Sequence, residues 1–140
     1  MGMEIKLWKD KNKKLVDPEL FSSTAEKLAK KISEEGGGRL NKPTQIRKFY
    51  DEVVRFDSIV KSNPAEFDAM MPYLNMLNAK AAYAMGRKLV SEGFRDFISN
   101  GLKQIRDRDD FAAFSGLFEA FMGYYKFYTE KSEGQRGGAR

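Results

Sequence analysis

A chain of 140 residues, 41% hydrophobic and 32% charged, is long enough for one domain with a modest core, and its net charge of +5 favours an anionic partner. It contains no cysteine and no histidine, which excludes disulfides, thiolate nucleophiles, Cys/His zinc sites and any histidine general base. The charge excess is local: residues 1–48 carry 12 Lys/Arg against 7 Asp/Glu, whereas residues 49–140 carry 13 of each.

Residues 1–16, MGMEIKLWKDKNKKLV, read as a basic leader with Leu7 and Trp8 as apolar anchors. They lack the apolar segment of a signal peptide, and Lys6 departs from the N-myristoylation pattern. A helical-bundle domain is expected over 17–131. Its first helix starts at Asp17, a suitable N-cap, with Pro18 at the first helical position. Leu20, Ala25, Leu28, Ala29 and Ile32 form its apolar stripe, and three glycines at 36–38 stop it and predict a flexible hinge. The second helix is expected from about Thr44 to Lys61, where Ile46, Phe49, Val53, Phe56 and Val60 recur at steps of three and four. Asn63 and Pro64 end it.

The next segment, PAEFDAMMPYLNMLNAKAAYAMGRKLVSEG, is helical in pattern, but Pro72 is expected to kink or break it, with one or two turns before it and a long helix after it reaching about Ser91. Leu74, Leu77, Ala81, Ala84 and Met85 face the core. A fourth helix follows Gly93, burying Phe94, Phe97, Ile98, Leu102 and Ile105; Gly101 predicts an irregular middle. In the last helix Phe111, Phe114, Phe118, Phe121, Tyr125 and Tyr128 hold helical spacing. Leu117, Met122, Tyr124 and Phe127 widen that stripe nearly all round, which implies a central helix or an oligomer interface. Residues 132–140, SEGQRGGAR, read as a disordered tail. No segment alternates in strand fashion, so the predicted fold class is all-α, a single compact bundle of about five helices. No apolar run approaches the ~20 residues of a membrane span, so no membrane partner is expected, and the lack of cysteine fits a cytoplasmic location.

No catalytic, metal or cofactor site is read from the residues. The one dense acidic group, Asp107, Asp109 and Asp110, suits a turn, an N-cap and first-turn acids beside the helix dipole. The Gly-rich stretches lack the Gly-Lys-Ser/Thr of a phosphate-binding loop. Two basic groups remain. In RLNKPTQIRK, Arg39, Lys42, Arg47 and Lys48 have no intervening carboxylate; Lys48 and Arg55 share one flank of the second helix, and Arg47 has Asp51 one turn on. In the third helix Lys80, Tyr83 and Arg87 share a face, with Lys88 adjacent, an aromatic between cations. Each group reads either as a solvated face or as a phosphate-binding surface.

Three blocks, KPTQIRKFYDEV, LNAKAAYAMGR and FAAFSGLFEAFMGYYKFY, resemble in that order the small helical subunit of the type III-A CRISPR–Cas effector, the Csm complex. The resemblance covers residues 42 to 128; the leader and the EEGGGR segment match no block of it. It implies a non-catalytic, all-helical subunit that stacks in several copies and lines the groove where target RNA pairs with CRISPR RNA, with the other Csm subunits as partners and self-association expected. The family's basic positions fall on Arg47, Lys48, Lys80 and Arg87. With their neighbours, the candidate RNA-binding residues are Arg39, Lys42, Arg47, Lys48, Arg55, Lys80, Arg87 and Lys88. A helical adaptor that docks a protein through its apolar last helix, without RNA, is the alternative; a carboxylate-metal nuclease is a more distant one.

Overall fold

Helices α1 (Ala25–Gly36), α2 (Pro43–Ser62), α3 (Phe67–Asn75), α4 (Leu77–Gly86), α5 (Glu92–Lys103) and α6 (Arg108–Arg136) surround one aromatic core. This computed structural model describes residues 5–136, with side chains over 5–131. Taking α3 and α4 as one interrupted helix, the fold is the expected all-α bundle of five helical units. The only strands among the described residues are β1 (Trp8–Asp10) and β2 (Leu15–Val16), paired antiparallel. They were not anticipated. Asp10 caps the connecting turn, and Lys14 closes it in the left-handed region at φ 56°.

The apolar stripes explain the packing. Every stripe residue predicted for α1, α2 and α5 is buried. α6 is the central helix: it packs on α1 and α2, and its Phe111, Phe114, Phe118, Phe121 and Tyr125 lie in the core. The Phe97 ring of α5 sits 5.1 Å from Phe118, 5.3 Å from Phe121 and 5.7 Å from Phe114, tilted contacts that suit the ring quadrupoles. The stripe does not extend all round, because Phe127 is exposed. The helix continues to Arg136, five residues into the segment expected as a tail; residues 137–140 lie outside the described residues. The leader packs on the bundle through buried Ile5 and Leu7, and Gln104 Nε2 donates to the Ile5 carbonyl at 2.8 Å. Residues 1–4 of it lie outside the described residues.

Local expectations fare differently. Asp17 Oδ1 accepts from the Glu19 N–H at 2.9 Å, the expected N-cap, but the chain passes through a π-helical turn, Leu20–Thr24, before α1. Gly36–Gly38 make a hydrogen-bonded turn rather than an open hinge, with Gly37 and Gly38 at φ 56° and 82°. Of the kink or break expected at Pro72, no break falls at the proline itself. Proline's fixed φ is helical and it removes one ladder bond, so α3 runs through it. The interruption falls one turn later at Met76, whose N–H is shared among the carbonyls of Pro72, Tyr73 and Leu74. α4 ends at Gly86, short of the expected Ser91.

Gly101 lies in a regular helix, not an irregular one. Its role is clearance: a Cβ there would stand 2.1 Å from Phe114 Cε1. Alanine is favoured over glycine in a helix by about 1 kcal/mol, yet overpacking a core contact costs about 1–3 kcal/mol. Gly101→Ala is therefore expected to lower the urea midpoint, and an unchanged or raised midpoint would show that α5 and α6 part easily.

Candidate nucleic-acid interface

The stripe that buries Ile46, Phe49, Val53 and Phe56 leaves Lys48, Glu52 and Arg55 together on the flank of α2, at spacings of four and three. On α4, burial of Leu77, Ala81 and Ala84 leaves Lys80 and Tyr83 outside, with Tyr83 64% exposed. These flanks meet across a cleft of about 300 Å³. Gln45, Lys48, Glu52, Lys80 and Tyr83 form its polar walls, and Phe49, Leu77 and Leu89 its floor. The structure thus brings together two basic segments that are separate in sequence.

Glu52, which the sequence reading passed over, sits at the centre. Its Oε2 lies 3.1 Å from Arg55 Nε and its Oε1 lies 3.4 Å from Lys80 Nζ, so one carboxylate pairs with cations from both helices. The Arg55 hydrogen bond, against the opposing effect of burial, holds its carboxyl below the ordinary value. Its signal was available: Glu52 is four residues after Lys48 and three before Arg55. Arg87 extends the cleft's rim, its guanidinium 5.7 Å from the Tyr83 ring centroid and Nη1 donating to Tyr83 OH at 2.8 Å. Arg47 has Asp51 at 3.8 Å, the pair expected. Among the described residues, no carboxylate lies within ion-pair distance of Arg39, Lys42, Lys48, Arg87 or Lys88.

Lys88 does not join Lys80, Tyr83 and Arg87. The chain leaves α4 through a Schellman-type end: Lys88 N–H donates to the Met85 carbonyl at 3.0 Å and Leu89 N–H to the Ala84 carbonyl at 2.9 Å. Lys88 occupies the left-handed position at φ 61°, where glycine is usual. This turns it into a second cleft, about 670 Å³, with Arg39 and the apolar Leu40, Met85 and Val90. The eight candidate residues therefore divide. Lys48 and Lys80 line one cleft, with Arg55 and Arg87 bonded to its walls; Arg39 and Lys88 line another; Lys42 and Arg47 line neither. Lys88→Gly is expected to stabilise the fold by about 0.5–1 kcal/mol, because a non-glycine residue is disfavoured in that region. A lower melting temperature for that variant would contradict the reading.

The acidic group is structural. Asp107 Oδ1 accepts from Asp110 N–H at 2.9 Å, which caps α6. Buried Asp110 accepts from Trp8 Nε1 at 2.8 Å, Lys11 Nζ at 2.9 Å and the Arg106 N–H at 2.9 Å, tying the β-hairpin to the base of α6. Burial opposes its ionisation, but these donors outweigh burial and hold the carboxyl below its usual value. A carboxylate with a depressed folded value stabilises fully above its unfolded pKa of about 3.9 and loses that contribution as pH falls through the folded value. Asp110→Asn should therefore flatten the acid limb of stability below about pH 4 and lower stability by about 2 kcal/mol at neutral pH. Urea titrations at pH 3 and 7 measure both, and equal losses at the two pH values would refute the assignment.

No helix among the described residues is long and apolar enough to cross a membrane. The sequence profile of one protein family, described as Csm2 Type III-A, matches residues 16–131. The match reaches back across the glycine turn and α1, for which the resemblance between residues 42 and 128 offered no counterpart. No curated protein and no solved structure matches the chain.

Proposed function

The chain belongs to the Csm2 Type III-A family and is a subunit of the type III-A CRISPR effector, the Csm complex; from that premise we propose that it is a non-catalytic small subunit that stacks in several copies and binds guide–target RNA through backbone phosphates, in cytoplasmic antiviral defence. The observation that carries this reading is the α2–α4 cleft. Lys48 and Lys80, 32 residues apart in sequence, line the same opening, and Arg55 and Arg87 flank it. Guide–target pairing supplies the sequence specificity, so the protein need read only backbone and shape. Lys and Arg do this by displacing counterions from phosphate, and α2, a 20-residue helix about 30 Å long, offers a rigid edge along a strand.

The adaptor reading loses its main support. The apolar face of α6 is buried against α1 and α2. Exposed apolar side chains remain for protein contact, among them Tyr73 and Met76 around the α3–α4 interruption and Phe127 on α6, suited to a neighbouring subunit. The nuclease reading loses support too, since Asp107 and Asp110 are engaged by Lys11 and Trp8.

The test is the joint replacement of Lys48, Arg55, Lys80 and Arg87 by alanine. Exposed charges contribute little to stability, so melting should hold. Target-RNA affinity of the assembled complex should fall in a graded way, by about 1 kcal/mol or less per contact, and the deficit should shrink as salt rises. Single-turnover cleavage of saturated target should be nearly unchanged. A variant complex that binds target like the parent at low salt would overturn the interface; normal binding with lost cleavage would overturn the non-catalytic assignment.

A further inference from the structure

The cleft contains a group at odds with a simple phosphate site. Glu52 is negatively charged, partly open to solvent at 30%, and placed between the cations that an RNA backbone needs. A surface built only to attract phosphate would leave Lys80 and Arg55 unpaired.

We propose that Glu52 sets the selectivity of this cleft: it is an internal competitor that occupies Lys80 and Arg55 in the free subunit and yields them to an RNA backbone long enough to be held at several points. This rests on the reading of the cleft as an RNA-backbone site.

The argument is one of exchange. Glu52 Oε1 is 3.4 Å from both Lys80 Nζ and Arg55 Nη2, and its Oε2 is 3.1 Å from Arg55 Nε. A phosphate reaching either cation displaces a carboxylate already on the same molecule. An intramolecular group acts at an effective concentration of about millimolar or more, which an isolated phosphate or a short oligonucleotide in dilute solution does not match. A long strand does, because its next phosphate is delivered by the contact already made at unpaired Lys48 on the same wall. Glu52 also repels any anion that settles without completing the exchange. Short or misplaced polyanions are thereby rejected more strongly than a strand running along the cleft. Discrimination by an unfavourable group is a general route to specificity.

The experiment compares the parent chain, Glu52→Gln and Asp57→Asn by fluorescence anisotropy with labelled single-stranded RNA of 8 and 30 nucleotides across a salt series. Asp57 pairs with Lys61 at 2.9 Å, outside the cleft, so its variant makes the same change in net charge elsewhere on α2. Gln keeps the shape of Glu52, and melting curves establish that all three proteins fold alike. Glu52→Gln is expected to bind the 8-mer about three- to tenfold more tightly and the 30-mer by a smaller factor, with a steeper salt slope by about 0.7 for each phosphate gained. Asp57→Asn is expected to change either by less than about twofold. Equal or weaker binding by Glu52→Gln would overturn the proposal, and would mean that Glu52 holds Lys80 and Arg55 in their binding positions. An equal gain for Asp57→Asn would overturn it as an effect of net charge. Loss of salt-dependent binding in the parent itself would remove the RNA reading, and this proposal with it.

Discussion

A single buried asparagine holds the two halves of the candidate interface together. Asn41 lies in the left-handed region at φ 58°, between the glycine turn and α2. Its Nδ2 donates to the Ile32 carbonyl at 3.0 Å and to Ser91 Oγ at 2.8 Å, and its Oδ1 accepts from the Ser91 N–H at 2.8 Å. Its own N–H donates to the Leu89 carbonyl at 2.9 Å, and its carbonyl accepts from Tyr125 OH. Ser91 continues the network, capping α5 at the Phe94 N–H and donating to Glu35 Oε1 at 2.6 Å. One side chain and its peptide thus join the end of α1, the α4–α5 connection and the middle of α6. Among the described residues no buried side-chain polar atom lacks a partner, so the network is complete, which is the condition under which buried polar groups rigidify a core.

The position of the charges follows from that junction. α2 begins at Pro43, two residues after Asn41, and Leu89, the partner of Asn41, lies just beyond the end of α4. Pinning one to the other sets where the first turns of α2, which carry Lys48, stand relative to α4, which carries Lys80 and Tyr83 on the other wall of the cleft. The same peptide bonds bring Arg39 and Lys88 to their shared cleft on either side of the junction. Burial also pushes the Tyr125 hydroxyl far above its ordinary pKa, so it remains a donor to Asn41 across the whole physiological range.

The helices and their buried faces were legible in the sequence because burial imposes helical spacing on apolar residues, and 20 of the 31 buried hydrophobics among the described residues lie on the stripes predicted for the first, second, fourth and last helices. What could not be read depends on contacts distant in sequence. Asn41 looks like a loop residue until Ser91 and Tyr125 are brought to it. Gly101 looks like a weak helix position until Phe114 is placed against it. Lys88 reads as part of a basic helical face because nothing local marks a left-handed lysine where glycine is expected. The basic residues were legible as a set, since their clustering is a matter of composition. Their division between two clefts, and the carboxylate of Glu52 between two of them, needed the third dimension.

The charge distribution then has a consistent energetic meaning on the proposed function. A phosphate contact contributes about 1 kcal/mol or less at physiological salt, so three or four contacts give a dissociation constant of roughly millimolar for one copy. Such a subunit leaves cellular RNA alone when free. Copies lined up in one assembly bind a shared strand with an effective concentration of about millimolar for each added contact set, and the affinities compound without any new interaction. On the proposal made for Glu52, its pairing with Arg55 and Lys80 keeps the single copy weak while leaving both cations in place for the assembled state. Strengthening one copy would erase the difference between a stray transcript and a strand already aligned by its guide, and that difference is what a subunit that reads no bases has available to work with.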